Sequence, residues 1–128
     1  MQRILLDTHA LIWWLRDAPE LGNKARNLLA NRHNQVLVSA ASIWEIQIKR
    51  GIGKLSAPDG LLEIIEDDGM IILDISGQHA EQINNLPHHH RDPFDRMLIA
   101  QAQIEGLTIL TSDKQIVQYG VRTLSAKI

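Results

Sequence analysis

Arg3-Ile4-Leu5-Leu6-Asp7-Thr8-His9 opens the chain with three consecutive apolar residues cut off by an aspartate and a threonine. No polar residue alternates with the apolar ones. The run therefore reads as a short strand buried on both faces, as in a parallel sheet. The residues beyond it agree with a sheet of that kind. Residues 9–16 have helical spacing and are closed by Asp17-Ala18-Pro19, and residues 22–31 place Ala25, Leu28 and Leu29 on one helical face. Val36-Leu37-Val38 is a second buried strand; Ser39 can cap a helix over 41–50 that Gly51 stops. A helix over 58–67, a strand over 70–73 and a polar helix over 76–86 come next. Asp92-Pro93 opens a long helix running to Glu105 and ended by Gly106. A strand over 107–110, a short helix over 113–118 and a strand over 121–124 complete the chain. Short apolar strands alternating with helices predict an α/β fold with a mainly parallel central sheet covered on both faces.

The chain has 128 residues, room for one domain over 1–128, and 45% of them are hydrophobic, enough for a core. The absence of cysteine excludes disulfides and thiolate metal sites and fits a reducing compartment. The N-terminal apolar run is too short for a signal peptide, and no stretch approaches the roughly 20 apolar residues of a membrane helix. A soluble cytoplasmic protein with no membrane partner is expected. Net charge is −2 and the pI about 6.3. A protein holding nucleic acid mainly by charge is usually basic, so any such contact here must come from local patches and metal ions.

In parallel sheets, ligands bind beyond the carboxyl ends of the strands. Four acids belong to that edge. Asp7 ends the first strand and Asp113 follows the fourth; Glu45 lies on the helix after the second strand, among Ile43, Trp44 and Ile46; Asp95 starts the long helix on the face of Leu98, Ile99 and Ala102. Each has an ordinary structural reading beside this one. Asp7 can cap a helix, Glu45 can pair with Lys49 at i,i+4, Asp95 suits a helix dipole, and Asp113 can be an extra acid beside a Ser112/Gln115 capping box. Asp92 is fully explained as the cap before Pro93. Taken together, four carboxylates at one edge would repel unless a cation neutralised them, and magnesium takes oxygen ligands of this kind. The pattern points to metal-dependent phosphoryl chemistry without naming the substrate.

Leu5-Leu6-Asp7-Thr8-His9, Ser42-Ile43-Trp44-Glu45-Ile46, Arg91-Asp92-Pro93-Phe94-Asp95-Arg96-Met97-Leu98-Ile99-Ala100-Gln101-Ala102 and Leu110-Thr111-Ser112-Asp113 resemble, in order, the four motifs of PIN domains. Their spacing resembles the VapC-like toxins of bacterial toxin–antitoxin pairs over essentially the whole chain. The resemblance implies a three-layer α/β/α fold and a magnesium- or manganese-dependent endoribonuclease, hydrolysing RNA with a metal-activated water. On it, Asp7, Glu45, Asp95 and Asp113 form the acidic quartet. Asp7 and Asp95 are the leading direct metal ligands; Glu45 and Asp113 act through water or orient the nucleophile. It further implies a cognate antitoxin and a homodimer.

Other features read more plainly. His88-His89-His90 follows Pro87 and is expected as a solvated loop near the site, since three adjacent histidines do not easily turn onto one ion. His9 could touch a phosphate, and Lys49, Arg50 and Lys54 could form a small basic patch. On the first helix, Leu11, Trp14 and Leu15 should face the core, leaving Ile12 and Trp13 exposed for a partner or covered by a neighbouring helix. The alternative function is a metal-dependent phosphatase or a receiver-like phosphoacceptor domain using Asp7. The residue two positions on is His9, where such phosphatases usually carry a second aspartate.

Overall fold

The computed structural model describes residues 1–128. Its elements follow the chain as β1 (Arg3–Leu6), α1 (Thr8–Leu15), α2 (Asn23–Ala30), β2 (Gln35–Ser39), α3 (Ala40–Gly51), α4 (Leu61–Asp67), β3 (Ile71–Leu73), α5 (Gly77–Gln82), a 3-10 turn (Ile83–Asn85), α6 (Pro93–Glu105), β4 (Thr108–Thr111), α7 (Lys114–Val117) and β5 (Thr123–Ser125). All five strands are parallel, in the order β3-β2-β1-β4-β5.

Strand pleating sends neighbouring side chains to opposite faces, and the core divides accordingly. Ile4, Leu6, Val36, Val38 and Leu110 pack with Leu11, Ala25, Leu29, Leu61 and Ile65 of α1, α2 and α4. Leu5, Leu37 and Ile109 pack on the other side with Leu98, Ile99 and Ala102 of α6, and with Ile116 and Tyr119. The result is three layers, α/β/α. No helix is long and apolar enough to cross a membrane.

Several boundaries depart from the sequence expectation. The helix after β2 runs through Gly51, and the left-handed residue beyond it is Gly53. The polar helix breaks at Gln82 into a 3-10 turn, and the last strand begins two residues later than expected. Ser112 does not cap the last helix. Asp113 does, accepting the Gln115 N–H at 2.8 Å. Gly106 ends α6 as expected, at φ 68°, where only a residue without Cβ is unstrained.

The first helix also differs. Leu11 is fully buried, but Ile12, Trp13, Trp14 and Leu15 are all half-buried against the same core cluster. Ile12 and Leu15 line a small cavity with Ile46, Leu55, Leu61 and Ile64, so the chain around α4 wraps the outer side of the helix. Trp14 donates from Nε1 to Asp68 at 2.7 Å. The fully exposed Ile12–Trp13 pair does not form.

Arg96 fixes the segment leading into α6. Its buried guanidinium donates to the carbonyls of Pro87 (2.9 Å), Ile83 (3.0 Å) and His90 (3.3 Å), and to the Tyr119 hydroxyl (3.3 Å). Tyr119 in turn donates to Pro87 O at 2.8 Å and accepts the His90 N–H at 2.9 Å. A planar fork with five donors suits four converging acceptors; an ammonium group cannot meet them all. Arg96→Lys should therefore lower the unfolding free energy by about 2–3 kcal/mol, read from the urea midpoint, with faster amide exchange in residues 83–90.

Candidate active site

Because strand order reverses at β1, the carboxyl ends of β1 and β4 lie side by side and their outgoing connections leave in opposite directions. This is the switch point at which open α/β sheets form a crevice. Asp7 leaves β1 there, 3% exposed, and caps α1. Its Oδ1 accepts the Ala10 N–H at 2.8 Å; its Oδ2 accepts the Thr111 hydroxyl of β4 at 2.5 Å. The same Thr111 oxygen accepts the Asp113 N–H at 2.9 Å. One threonine thus ties Asp7 to Asp113 across the seam.

Glu45 is buried on α3. Its Oε1 accepts the Thr8 hydroxyl at 2.7 Å, which itself lies 3.1 Å from Ser42 Oγ, and its Oε2 meets Lys49 Nζ at 2.7 Å. The i,i+4 pair expected of a solvated face does form, but on a buried carboxylate. Asp95 stands in the first turn of α6, after Asp92 has accepted the Phe94 and Asp95 N–H groups as N-cap. Asp95 Oδ2 is 2.8 Å from His90 Nε2, and Asp113 Oδ2 is 3.1 Å from the same nitrogen.

The four acids named from sequence come together electrostatically. Burial raises the Asp7 carboxyl above its ordinary value, opposed by the hydrogen bonds from Thr111 and Ala10, with the Asp113 charge adding to the rise. Burial likewise raises Asp95, to about 7; the Asp92 charge adds to this, His90 opposes it, and Asp7 and Glu45 contribute further. Lys49 is raised by its hydrogen bond to Glu45, with desolvation opposing and the charges of Glu45, Asp92 and Asp95 assisting.

His90 overturns the solvated-loop reading of the histidine run. His88 and His89 are exposed, but the His90 side chain is only 10% exposed and lies against two of the four acids. The basic patch is also partly neutralised: Lys49 pairs with Glu45 and Arg50 with Asp59, leaving Lys54 exposed. His9 is exposed and stacked on Trp13, close enough to Asp7 to lower its pKa. Sequence reasoning did not single out Thr111 or Tyr119. A polar residue at a strand's carboxyl end next to Ser112-Asp113 was a usable signal for Thr111; nothing local marked Tyr119.

The donor set suits a hard divalent cation. It is oxygen-rich, and carboxylate oxygens of Asp95 and Asp113 lie within 4.8 Å of each other, with a ring nitrogen of His90 beside both. A carboxyl raised to about 7 by burial among other acids is one whose charge a cation would stabilise. Asp7 fits poorly as a covalent phosphoacceptor, because it is buried and both its oxygens are engaged.

The chain belongs to the PIN domain family, whose model matches residues 4–121. Among solved structures it is similar to a chain of the DNA-bound VapBC from Salmonella typhimurium (21% identity, TM-score 0.72, 98% of each chain). It is also similar to a chain of FitAcB from Neisseria gonorrhoeae (22%, 0.63, 96% of this chain and 97% of that one). A chain of a toxin–antitoxin complex from Klebsiella pneumoniae is a third (19%, 0.66, 96% and 97%). No curated protein matches the sequence.

The raised carboxyls have a consequence for stability. Between the ordinary aspartate value of 3.8 and about 7, folded Asp95 retains a proton that the unfolded chain has released. The folded state therefore binds more protons, and stability is lost as pH rises through that window. Asp7 acts in the same direction. The melting temperature of the metal-free protein should fall between pH ~5 and ~7.5, and Asp95→Asn should flatten that fall. An unchanged slope in the variant would place the titration elsewhere.

Proposed function

We propose that the chain is a magnesium- or manganese-dependent endoribonuclease and the toxin of a toxin–antitoxin pair, with residues 1–128 acting as one domain in the cytoplasm. The observation that carries this reading is the meeting of Asp7, Glu45, Asp95 and Asp113 at the strand switch point, with Asp95 raised to about 7 by burial and by its acidic neighbours. Asp7 and Asp95 would hold the ion directly, while Glu45 and Asp113 would hold it through water or orient the attacking water. When bound, the ion supplies an acidified water and offsets charge developing on the phosphate.

The protein's own groups support that chemistry in definite ways. Thr111 and the Ala10 amide fix the Asp7 carboxylate in one orientation. Thr8 and Lys49 do the same for Glu45, and Lys49 adds the positive side chain beside the acids. An RNA backbone would be repelled by this edge alone, so substrate binding depends on the cation as well as on exposed bases such as Lys54.

The antitoxin rests on the solved relatives, which come from VapBC, FitAcB and toxin–antitoxin complexes. A homodimer is supported by an apolar stripe along α3 and its C-cap residue Ile52. Trp44, Ile48 and Ile52 recur every four residues and are 59%, 41% and 62% exposed. Trp44 meets Phe94 edge-on at 5.2 Å, extending the surface over a cavity of about 350 Å³ lined also by Ile75, Ile83 and Met97. A contiguous face of this kind is costly to leave in water.

Asp95→Asn should abolish cleavage of RNA with the fold intact by circular dichroism. The loss should exceed the roughly 10–100-fold typical of removing even an outer-sphere partner, and the variant should lose most of the magnesium-induced rise in melting temperature. Parental cleavage rates would sink the metal-site reading. Ile48→Glu should shift a dimer to monomer in sedimentation equilibrium while leaving the melting temperature of the monomer near the parent's; an unchanged association state would remove α3 from the interface.

A further inference from the structure

His90 is built into the acidic edge. Its Nε2 approaches Asp113 Oδ2 at 3.1 Å, as a hydrogen bond, and Asp95 Oδ2 at 2.8 Å. One nitrogen therefore bridges two carboxylates, and the three groups lie within 4.8 Å of one another. The other ring nitrogen decides what that bridge can be. Nδ1 accepts the Asp92 backbone N–H at 3.3 Å, which leaves the ring proton on Nε2. A nitrogen carrying its proton donates hydrogen bonds and cannot ligate a metal.

The way His90 is held matters as much as where it points. Its backbone N–H is bound to the Tyr119 hydroxyl at 2.9 Å and its carbonyl to Arg96 at 3.3 Å, both inside the buried clamp below α6. Apart from the two carboxylates, the ring is held only by the long contact from the Asp92 N–H. The backbone is pinned by the clamp, while the polar contacts of the ring are confined to the acidic edge and the Asp92 amide.

We propose that His90 is a positioning residue that bridges Asp95 and Asp113 in the metal-free protein and yields that place to the divalent cation. This rests on the metal-site reading above and adds a residue that the acidic quartet does not include. In the metal-free state the Nε2–H offsets the repulsion of two half-buried carboxylates and keeps them at a spacing a cation can span. Binding then exchanges one bridge for another, and the intrinsic affinity of the acids is reduced by the strength of the hydrogen bond displaced.

Calorimetric titration with Mn²⁺ of the full chain and its variants tests the exchange. His90→Ala should bind Mn²⁺ about tenfold more tightly, the weight of one hydrogen bond to a charged group, and its metal-free form should melt at a lower temperature than the parent's. His90→Gln, which returns an N–H donor at similar reach, should restore the parental values. Long-range ¹⁵N–¹H spectra of the metal-free parent should show the His90 proton on Nε2, with the resonance shifting as Mg²⁺ is added. An unchanged or weakened Mn²⁺ affinity in His90→Ala would overturn the proposal, as would histidine ¹⁴N coupling in the pulsed electron-spin spectrum of the Mn²⁺-bound parent, which would make His90 a ligand. A parent that binds no Mn²⁺ would overturn the metal site itself, a result distinct from binding that ignores His90.

Discussion

Thr111 donates its hydroxyl proton to Asp7 at the seam between β1 and β4, where the strand order reverses. Around that 2.5 Å contact the structure must solve one electrostatic problem. A carboxylate almost wholly withdrawn from water loses hydration that hydrogen bonds only partly return. Asp7 recovers some of it from Thr111 and from the Ala10 amide, and still stands above the ordinary aspartate range. The parallel sheet makes the problem unavoidable, since it delivers the ends of β1 and β4, with Asp7 and Asp113 beyond them, to neighbouring positions.

The rest of the edge can be understood as charge management around that point. Glu45 carries its own cation, Lys49, and its own hydroxyl, Thr8. Asp113 is held by the Gln115 amide at the start of α7 and by His90. Asp95 is left with the least: its backbone N–H goes to Asp92, and its carboxylate meets His90 alone. The acid raised to about 7 is therefore the one with the fewest protein donors. A group in that position gains from an added cation, as does the more deeply buried Asp7, so site chemistry and local instability have the same origin.

Much of this was legible in the sequence because it depended on local order. Ile4-Leu5-Leu6, Val36-Leu37-Val38 and the run before Thr111 could only be buried strands, and a parallel sheet places everything after them at one edge. Asp7 and Asp113 follow from that geometry; Glu45 and Asp95, which lie on helices beside that edge, are singled out by the motif resemblance. The boundaries that shifted were those set by tertiary contact: Gly51 stayed helical because the turn was made at Gly53, and Gln82 ended a helix whose polar pattern continued. The sequence leaves the outer side of α1 either exposed for a partner or covered within the domain; it is covered, and the choice is not legible locally because the chain that covers Ile12, around Leu55 and Leu61, lies some forty residues or more away. His90 was illegible for the same reason. Its neighbours His88 and His89 are exposed, and what separates the third histidine from them is Tyr119 and Arg96, which no reading of Pro87-His88-His89-His90 alone could supply.

Helix capping and site membership are not rival explanations of these acids. Asp7, Asp92 and Asp113 are all N-caps: Asp7 and Asp113 each accept one backbone N–H at the positive end of a helix, and Asp92 accepts two. That end is one of the few places in a folded chain where a partly buried carboxylate is tolerated with no side-chain cation beside it. A fold that must hold several acids at one sheet edge therefore starts its helices there. The cap makes the acid affordable, and the parallel topology makes the caps converge. A capping aspartate that directly follows a parallel strand should accordingly be weighed as a site residue because it caps, since the same amides that end the helix also keep the carboxylate in place for a cation.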